Sequence, residues 1–187
     1  RRYMGFSLTM CFAFGALFSY ISGSTFVLQK ILGLDAGQYT LAFGVNSLGI
    51  VAMSSLATAL VGKVAQRTIV NVGVSALLVV SVLLTGSFLI GILLFCLTCS
   101  VGLVFGNASA LALNEARHMA GSASAVMGTI QALLGGVAAP LVSLGGEGAY
   151  LPMAFSILGF AVLTGITLFS TPRKDSDYAT DGGTGGH

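Results

Sequence analysis

The chain has 187 residues, of which 55% are hydrophobic and 7% charged, with a formal net charge of +2. An average soluble domain carries about 25% charged residues, so a water-soluble fold is excluded and lipid is the solvent for most of this chain. The eight Lys and Arg are too few and too scattered for a nucleic-acid partner.

The remaining charges punctuate the sequence. No Asp, Glu, Lys or Arg occurs in 3–29, 36–62, 119–146 or 148–172. Each stretch crosses a bilayer once, since about 20 mainly apolar residues span a hydrocarbon core of about 30 Å. The uncharged run 68–114 is different: as one helix it would reach about 70 Å at roughly 1.5 Å per residue. It must fold back, and Thr85-Gly86-Ser87 supplies the turn. The expected fold is all-α and polytopic, with six transmembrane helices over 5–29, 39–61, 68–84, 88–113, 122–144 and 150–169, forming one bundle within 1–172. The polar segment 173–187, with its Gly-Gly-Thr-Gly-Gly run, lacks the apolar residues to build a core and is expected to be disordered, so His187 is no ligand. The chain opens on Arg1, and its first apolar stretch is too long for a cleavable signal and lacks a small-residue cleavage site, so a fragment is expected.

Placing the helix ends alternately on two sides puts Arg1, Arg2, Lys63, Arg67, Arg117, Arg173 and Lys174 together and leaves only Lys30 opposite. Positive charge accumulates on the cytoplasmic side of membrane proteins, so both termini are expected in the cytoplasm, with Asp35 and Glu147 facing outward.

Polar content divides the helices. The third and sixth hold Ser and Thr, which satisfy themselves on their own backbone, and only Asn71 near an end, so these two are expected to face lipid. The first, second, fourth and fifth carry Gln29, Asn46, Asn107 and Gln131, amides that cannot sit in hydrocarbon without partners and should point to an interior or cavity. Glycine numbers 26, roughly twice average usage, and the stripes Gly15/Ser19/Gly23, Gly128/Ala132/Gly136/Pro140 and Gly102/Gly106 should mark close helix contacts. Gly23 and Pro140 also admit a second reading, as bends that open a helix at a gate. The order polar, polar, apolar occurs twice, as suits a three-plus-three inverted repeat.

Catalysis and metal binding find little support. Cys11, Cys96 and Cys99 lie in apolar stretches and read as small packing residues. His118 and His187 are the only histidines, neither within the bundle, so an intramembrane Ser-His pair has no base. Glu115 and His118 resemble half of a di-metal helix motif, but no second Glu-x-x-His follows. No enzyme activity, cofactor or metal is expected.

Five segments resemble the major facilitator superfamily, and within it the C-terminal six helices of Bcr/CflA-type drug:proton antiporters. Tyr20-Ile21-Ser22-Gly23-Ser24-Thr25-Phe26-Val27-Leu28-Gln29 is similar to that family's seventh helix, Leu41-Ala42-Phe43-Gly44-Val45-Asn46 to the start of its eighth, and Phe105-Gly106-Asn107-Ala108-Ser109-Ala110-Leu111-Ala112-Leu113 to the end of its tenth. Gly121-Ser122-Ala123-Ser124-Ala125-Val126-Met127-Gly128 with Gln131 resembles the entry of the eleventh, and Gly62-Lys63-Val64-Ala65-Gln66-Arg67 the family's shortened cytoplasmic loop motif between helices eight and nine.

The resemblance implies proton-coupled efflux of drug-like solutes across a bacterial inner membrane by alternating access. It implies an N-terminal six-helix half as partner, which would also hold the proton-carrying acid, because no Asp or Glu of this chain lies mid-helix. The residues it points to for the substrate wall are Tyr20, Phe26, Gln29, Asn46, Asn107 and Gln131, with the aromatics stacking on planar or cationic solutes and the amides offering donors and acceptors. Gly62, Lys63 and Arg67 would form a latch between helix ends or would simply signal topology. For the aromatics and amides, helix packing and interhelical hydrogen bonding remain the alternative. A self-assembling six-helix carrier or channel subunit, and a non-functional remnant, also remain open.

Overall fold

A computed structural model describes residues 1–86, 89–143 and 150–173. Ser87 of the expected turn, the start of the fourth helix at Phe88, the end of the fifth at Leu144, Glu147 and the tail 174–187 lie outside the described residues. Six helices follow one another: α1 Arg2–Phe26, continued by a π-helical turn Val27–Ile31; α2 Ala36–Leu60; α3 Gln66–Leu84; α4 Ile90–Glu115; α5 Ala120–Ser143, entered through a 3₁₀ turn Arg117–Met119; and α6 Tyr150–Ser170. All six are long and apolar enough to cross a membrane.

The helices overrun the charges that were expected to bound them. α1 includes Arg2 and runs through Lys30, and α4 reaches Glu115 rather than Leu113. Long side chains at a helix end carry their charge beyond it. Lys30 lies over the Phe26 ring, 5.0 Å from its centroid, and Arg2 pairs with Glu115 at 2.9 Å. The true stops are conformational. Gly33, at φ +69°, lets Leu34 N–H reach back to the Leu28 carbonyl at 3.1 Å and closes α1. Asp35 then caps α2: its carboxylate accepts from Gln38 N–H at 2.8 Å, while the Gln38 amide oxygen accepts from Asp35 N–H at 3.1 Å. At the other end of α2, Gly62 at φ +90° makes the tight turn into α3.

α1 and α4 form the centre. α1 packs on α4, α5 and α6; α4 packs on α1, α2 and α3; and α3 touches α6. Exchanging α1 with α4, α2 with α5 and α3 with α6 maps these six main pairings onto themselves, as a three-plus-three repeat requires, while a smaller contact of α5 with α6 has no counterpart of that extent between α2 and α3. An odd number of crossings per repeat inverts the second copy.

The first glycine stripe is the seam between α1 and α6. A Cβ on Gly15 would stand 2.6 Å from the Phe160 ring and one on Gly23 2.6 Å from Met153, while Ser19 and Ser156 hydroxyls share a hydrogen bond of 2.8 Å between them. Gly102 lies against α2, where Ser54 donates to its carbonyl at 2.9 Å. The other expected contacts are not made within the described residues. Nothing lies within 4 Å of a Cβ on Gly106, Gly128 or Gly136, and Ala132 and Pro140 are exposed. Both α1 at Gly23 and α5 at Pro140 continue without a break; the irregular turn of α1 comes later, at Val27–Ile31.

Burial within this unit does not by itself follow the expected division between lipid-facing and interior helices. α2 and α5 are the least buried, with 17% and 22% of their central windows enclosed, against 50% and 44% for α3 and α6. Each of the two peripheral helices packs mainly on one central helix, α2 on α4 and α5 on α1, so only α1 and α4 are interior to this unit. The hydroxyls of α3 and α6 do bond their own turns: Ser81 donates to Leu77, and Thr164 to Phe160, at 2.6 and 2.8 Å.

Candidate functional site

Between α1 and α5 lies a cavity of about 410 Å³. Its floor is aromatic, because Phe14 and Phe18 stand one turn apart on α1 and meet at 5.7 Å between centroids; Phe105 of α4, outside the lining, backs Phe14 at 6.3 Å. The α5 wall is nearly bare: Gly128, Ala132, Gly135 and Gly136 leave room, and Gln131 supplies an amide. Gly135 holds α5 over the floor, its missing Cβ being 3.5 Å from Phe14 and Phe18. A neutral amide beside aromatic faces can donate to, accept from and stack with one solute.

The other candidate amides are committed elsewhere. Asn46 of α2 donates through Nδ2 to the Tyr20 hydroxyl of α1 at 2.7 Å, and both residues are buried. Tyr20 is 2% exposed and its ring stacks on Phe43 at 6.0 Å, which leaves no open face to a ligand in this conformation. Phe43 continues to Tyr39, whose hydroxyl accepts from Thr25 at 3.1 Å, so side chains rather than close backbones join α1 to α2 here. Asn107 is buried and donates to Leu103 of its own helix at 3.1 Å. Gln29 is half-buried in the π-helical turn, and Phe26 is exposed beneath Lys30. Of the six expected wall residues, then, Tyr20 and Asn46 are brought together and Gln131 alone lines the cavity. Sequence reasoning missed Phe14 and Phe18; the signal was the i, i+4 pair of rings beside the small-residue stripe of α1.

The Gly62-Lys63-Arg67 segment builds a different structure at the far end of the bundle. Lys63 is exposed on the turn, whereas Arg67 is 2% exposed and donates to carbonyls at and just beyond the end of α6: Nη1 to Pro172 at 2.9 Å, Nη2 to Thr171 at 2.7 Å and to Leu168 at 3.4 Å. Arg2 reaches the same place, donating to the Pro172 carbonyl at 2.9 Å while its Nε bonds Glu115. Both guanidiniums lie over the buried Phe6 ring, at 5.7 and 5.6 Å. Cations at a helix C-terminus meet unsatisfied carbonyls and the negative end of the dipole, so this cluster ties the ends of α1, α3, α4 and α6.

Comparison with known proteins decides the family. The Major Facilitator Superfamily profile matches residues 1–140. The chain belongs to the major facilitator superfamily. It is 31% identical over 181 residues to the uncharacterized MFS-type transporter YdgK of Bacillus subtilis, a match covering 93% of this chain and 45% of that protein. It is 23% identical over 171 residues to the bicyclomycin resistance protein homolog of Haemophilus influenzae, covering 88% of this chain and 43% of that one. The chain thus spans less than half the length of these curated relatives. No solved structure matches it. Major facilitator proteins are transporters and not enzymes, and the paired-repeat packing of α1–α6 is that of one half of such a fold.

Proposed function

We propose that this chain forms one wall of a secondary transporter that exports amphipathic, drug-like solutes by alternating access, with the cavity lined by Gln131, Phe14 and Phe18 as its contact with the solute. The observation that carries the reading is where the cavity sits. It lies on α5, one of the two least buried helices, beside a face of exposed Gly128, Thr129, Ala132 and Gly136. α2 is exposed at Gly44, Ser47, Ala52 and Ser55, with Leu41, Leu48 and Val51 exposed among them, while α3 and α6 expose Val72, Val79, Ile166 and Phe169. Small residues admit a second set of helices in lipid, so a companion six-helix half, N-terminal in the intact protein, packs on the α2/α5 face and closes the cavity. The relatives of more than twice this length support that partner, and the bicyclomycin resistance relative supports drug efflux. Protons drive the cycle through a carboxylate on the companion half, since Asp35 and Glu115 stand at helix ends.

In this reading Tyr20, Asn46 and Asn107 hold the wall, and Phe26 and Gln29 border its mouth at the end opposite the arginines. The bias of the basic residues supports an orientation with Arg67, Lys63 and both termini on the cytoplasmic face of a bacterial inner membrane. Gly62 and Arg67 make a latch that ties α3 to α6 there. The test is Gln131→Ala in the intact protein. One lost hydrogen bond to a polar solute is worth about 1 kcal/mol, so efflux of solutes that use the amide falls several-fold to about tenfold, with the protein still present in the membrane. Unchanged efflux across several drugs excludes the side chain from substrate contact.

A further inference from the structure

A second cavity lies on the other flank of α5. It is a groove of about 880 Å³ between α5 and α6, floored by Phe12 of α1 and walled by Leu134 and Leu141 of α5 and by Phe155, Gly159 and Leu163 of α6. Along α6 the lining runs from Pro152, near the start of the helix, to Leu163. That is about 16 Å at roughly 1.5 Å per residue. A bilayer core is about 30 Å thick, so the groove starts at one interface and ends near the midplane. Its length is that of one leaflet. At the deep end Phe12 and Phe160 close it, with ring centroids 6.5 Å apart.

The chemistry of the lining narrows the occupant. No charged side chain reaches it, and its single hydroxyl, Ser156, is already bonded to Ser19 at 2.8 Å. A solute with polar groups would lose its hydration there and gain no hydrogen bond. A further transmembrane helix is equally ill suited. Helices associate in lipid across small residues, and here Phe, Leu and Val dominate, with Ser156 and Gly159 the small residues among them and Ser156 already engaged by Ser19; the small-residue face of α5 lies on its other side, at Gly128, Ala132 and Gly136. A flexible apolar chain fits both limits, since it needs no polar partner and gains dispersion contacts along the whole length. We infer that the α5/α6 groove is a binding site for the acyl chain of a membrane lipid, drawn from the leaflet opposite the arginine end. The site does not depend on which solute the transporter carries.

The experiment uses the intact protein reconstituted in vesicles containing a phosphatidylethanolamine with a photoreactive diazirine midway along one acyl chain. After irradiation, peptide mass spectrometry locates the cross-links. The groove, over 152–163, is expected to be labelled several-fold more than the exposed α3 positions Val72, Val79 and Leu83, which report ordinary surrounding lipid and are 57%, 59% and 52% exposed. A Cβ on Gly159 meets nothing within 4 Å, so a side chain can start there without a clash, and Gly159→Phe is the variant that occupies the groove. It is expected to cut labelling of the groove several-fold and leave that of α3 unchanged; Gly159→Leu, with a smaller side chain, is expected to cut it less. Equal labelling of groove and α3 in the wild-type protein would mean surrounding lipid only and would overturn the inference. Labelling that survives both substitutions would overturn it as well.

Discussion

Replacing Arg67 with alanine is expected to destabilise the protein by about 3 to 5 kcal/mol, the largest effect of any single substitution considered. The guanidinium is buried and serves the carbonyls of Leu168, Thr171 and Pro172 at once. Hydrogen bonds to a charged group are worth about 1.5 to 3 kcal/mol each, and acceptors left buried without a donor add their desolvation cost. Phe6 also loses one of its two cations. Lysine at the same position keeps the charge but offers a point donor in place of a planar fork, so Arg67→Lys recovers only part of the loss. Lys63, four residues earlier in the same motif, is exposed, and Lys63→Ala is expected to have no effect. Thermal unfolding of the three variants in one detergent makes the comparison. Equal midpoints for Arg67→Ala and wild type would mean that the cluster at the end of α6 carries no stability.

The next largest effect is expected at Gly102, and its neighbour Gly106 serves as the control. A Cβ on Gly102 would stand 2.7 Å from the carbonyl oxygen of Ile50, a backbone atom that cannot rotate away. α2 must therefore move off α4, at a cost of about 1 to 3 kcal/mol, and the bond from Ser54 to the Gly102 carbonyl goes with it. The situation at Gly15 differs, because the atoms met there belong to the Phe160 side chain and not to a backbone. Gly106→Ala meets nothing and removes a glycine from a helix, which favours the folded state by up to about 1 kcal/mol. Opposite signs for two alanines one turn apart on α4 are the expected outcome of the same unfolding measurement; a loss at both would mean that Gly106 is also packed.

These two sites also mark what can be read from the sequence. Charge is so costly in hydrocarbon that its positions, with the length of the run 68–114 and its Thr-Gly-Ser turn, reveal six crossings, and Gly15, Ser19 and Gly23 reveal one seam because helices approach closely only over small side chains. The helix ends are less legible. Arg2 and Lys30 look like stops, yet their long side chains carry the charge past the helix end while the backbone stays helical. Stripes do not name their partners either: Gly102 faces α2, but Gly128 and Gly136 line the open α1/α5 cavity, where a Cβ on either meets nothing within 4 Å among the described residues. The amides show the same ambiguity. Asn46 and Gln131 have the same chemistry in the sequence, but one meets Tyr20 across a helix pair and the other lines a cavity, a difference set by the rotation of α2 and α5. Phe14 and Phe18 pass as core residues until α5 is seen to lie over them with so little side chain.

The most direct test of the account is solute protection at position 136. In the intact protein with Cys11, Cys96 and Cys99 replaced by serine or alanine, Gly136→Cys introduces a thiol beside Gln131 where a Cβ meets nothing within 4 Å. Its reaction with a membrane-permeant maleimide is followed in vesicles with and without a transported planar cationic drug, and Gly91→Cys, also in open space on α4, reports non-specific effects. If the α1/α5 cavity takes the solute, saturating drug slows labelling at position 136 several-fold and leaves position 91 unchanged. Labelling at 136 that proceeds at the same rate while the drug is being exported would contradict the account and move the substrate path away from Gln131.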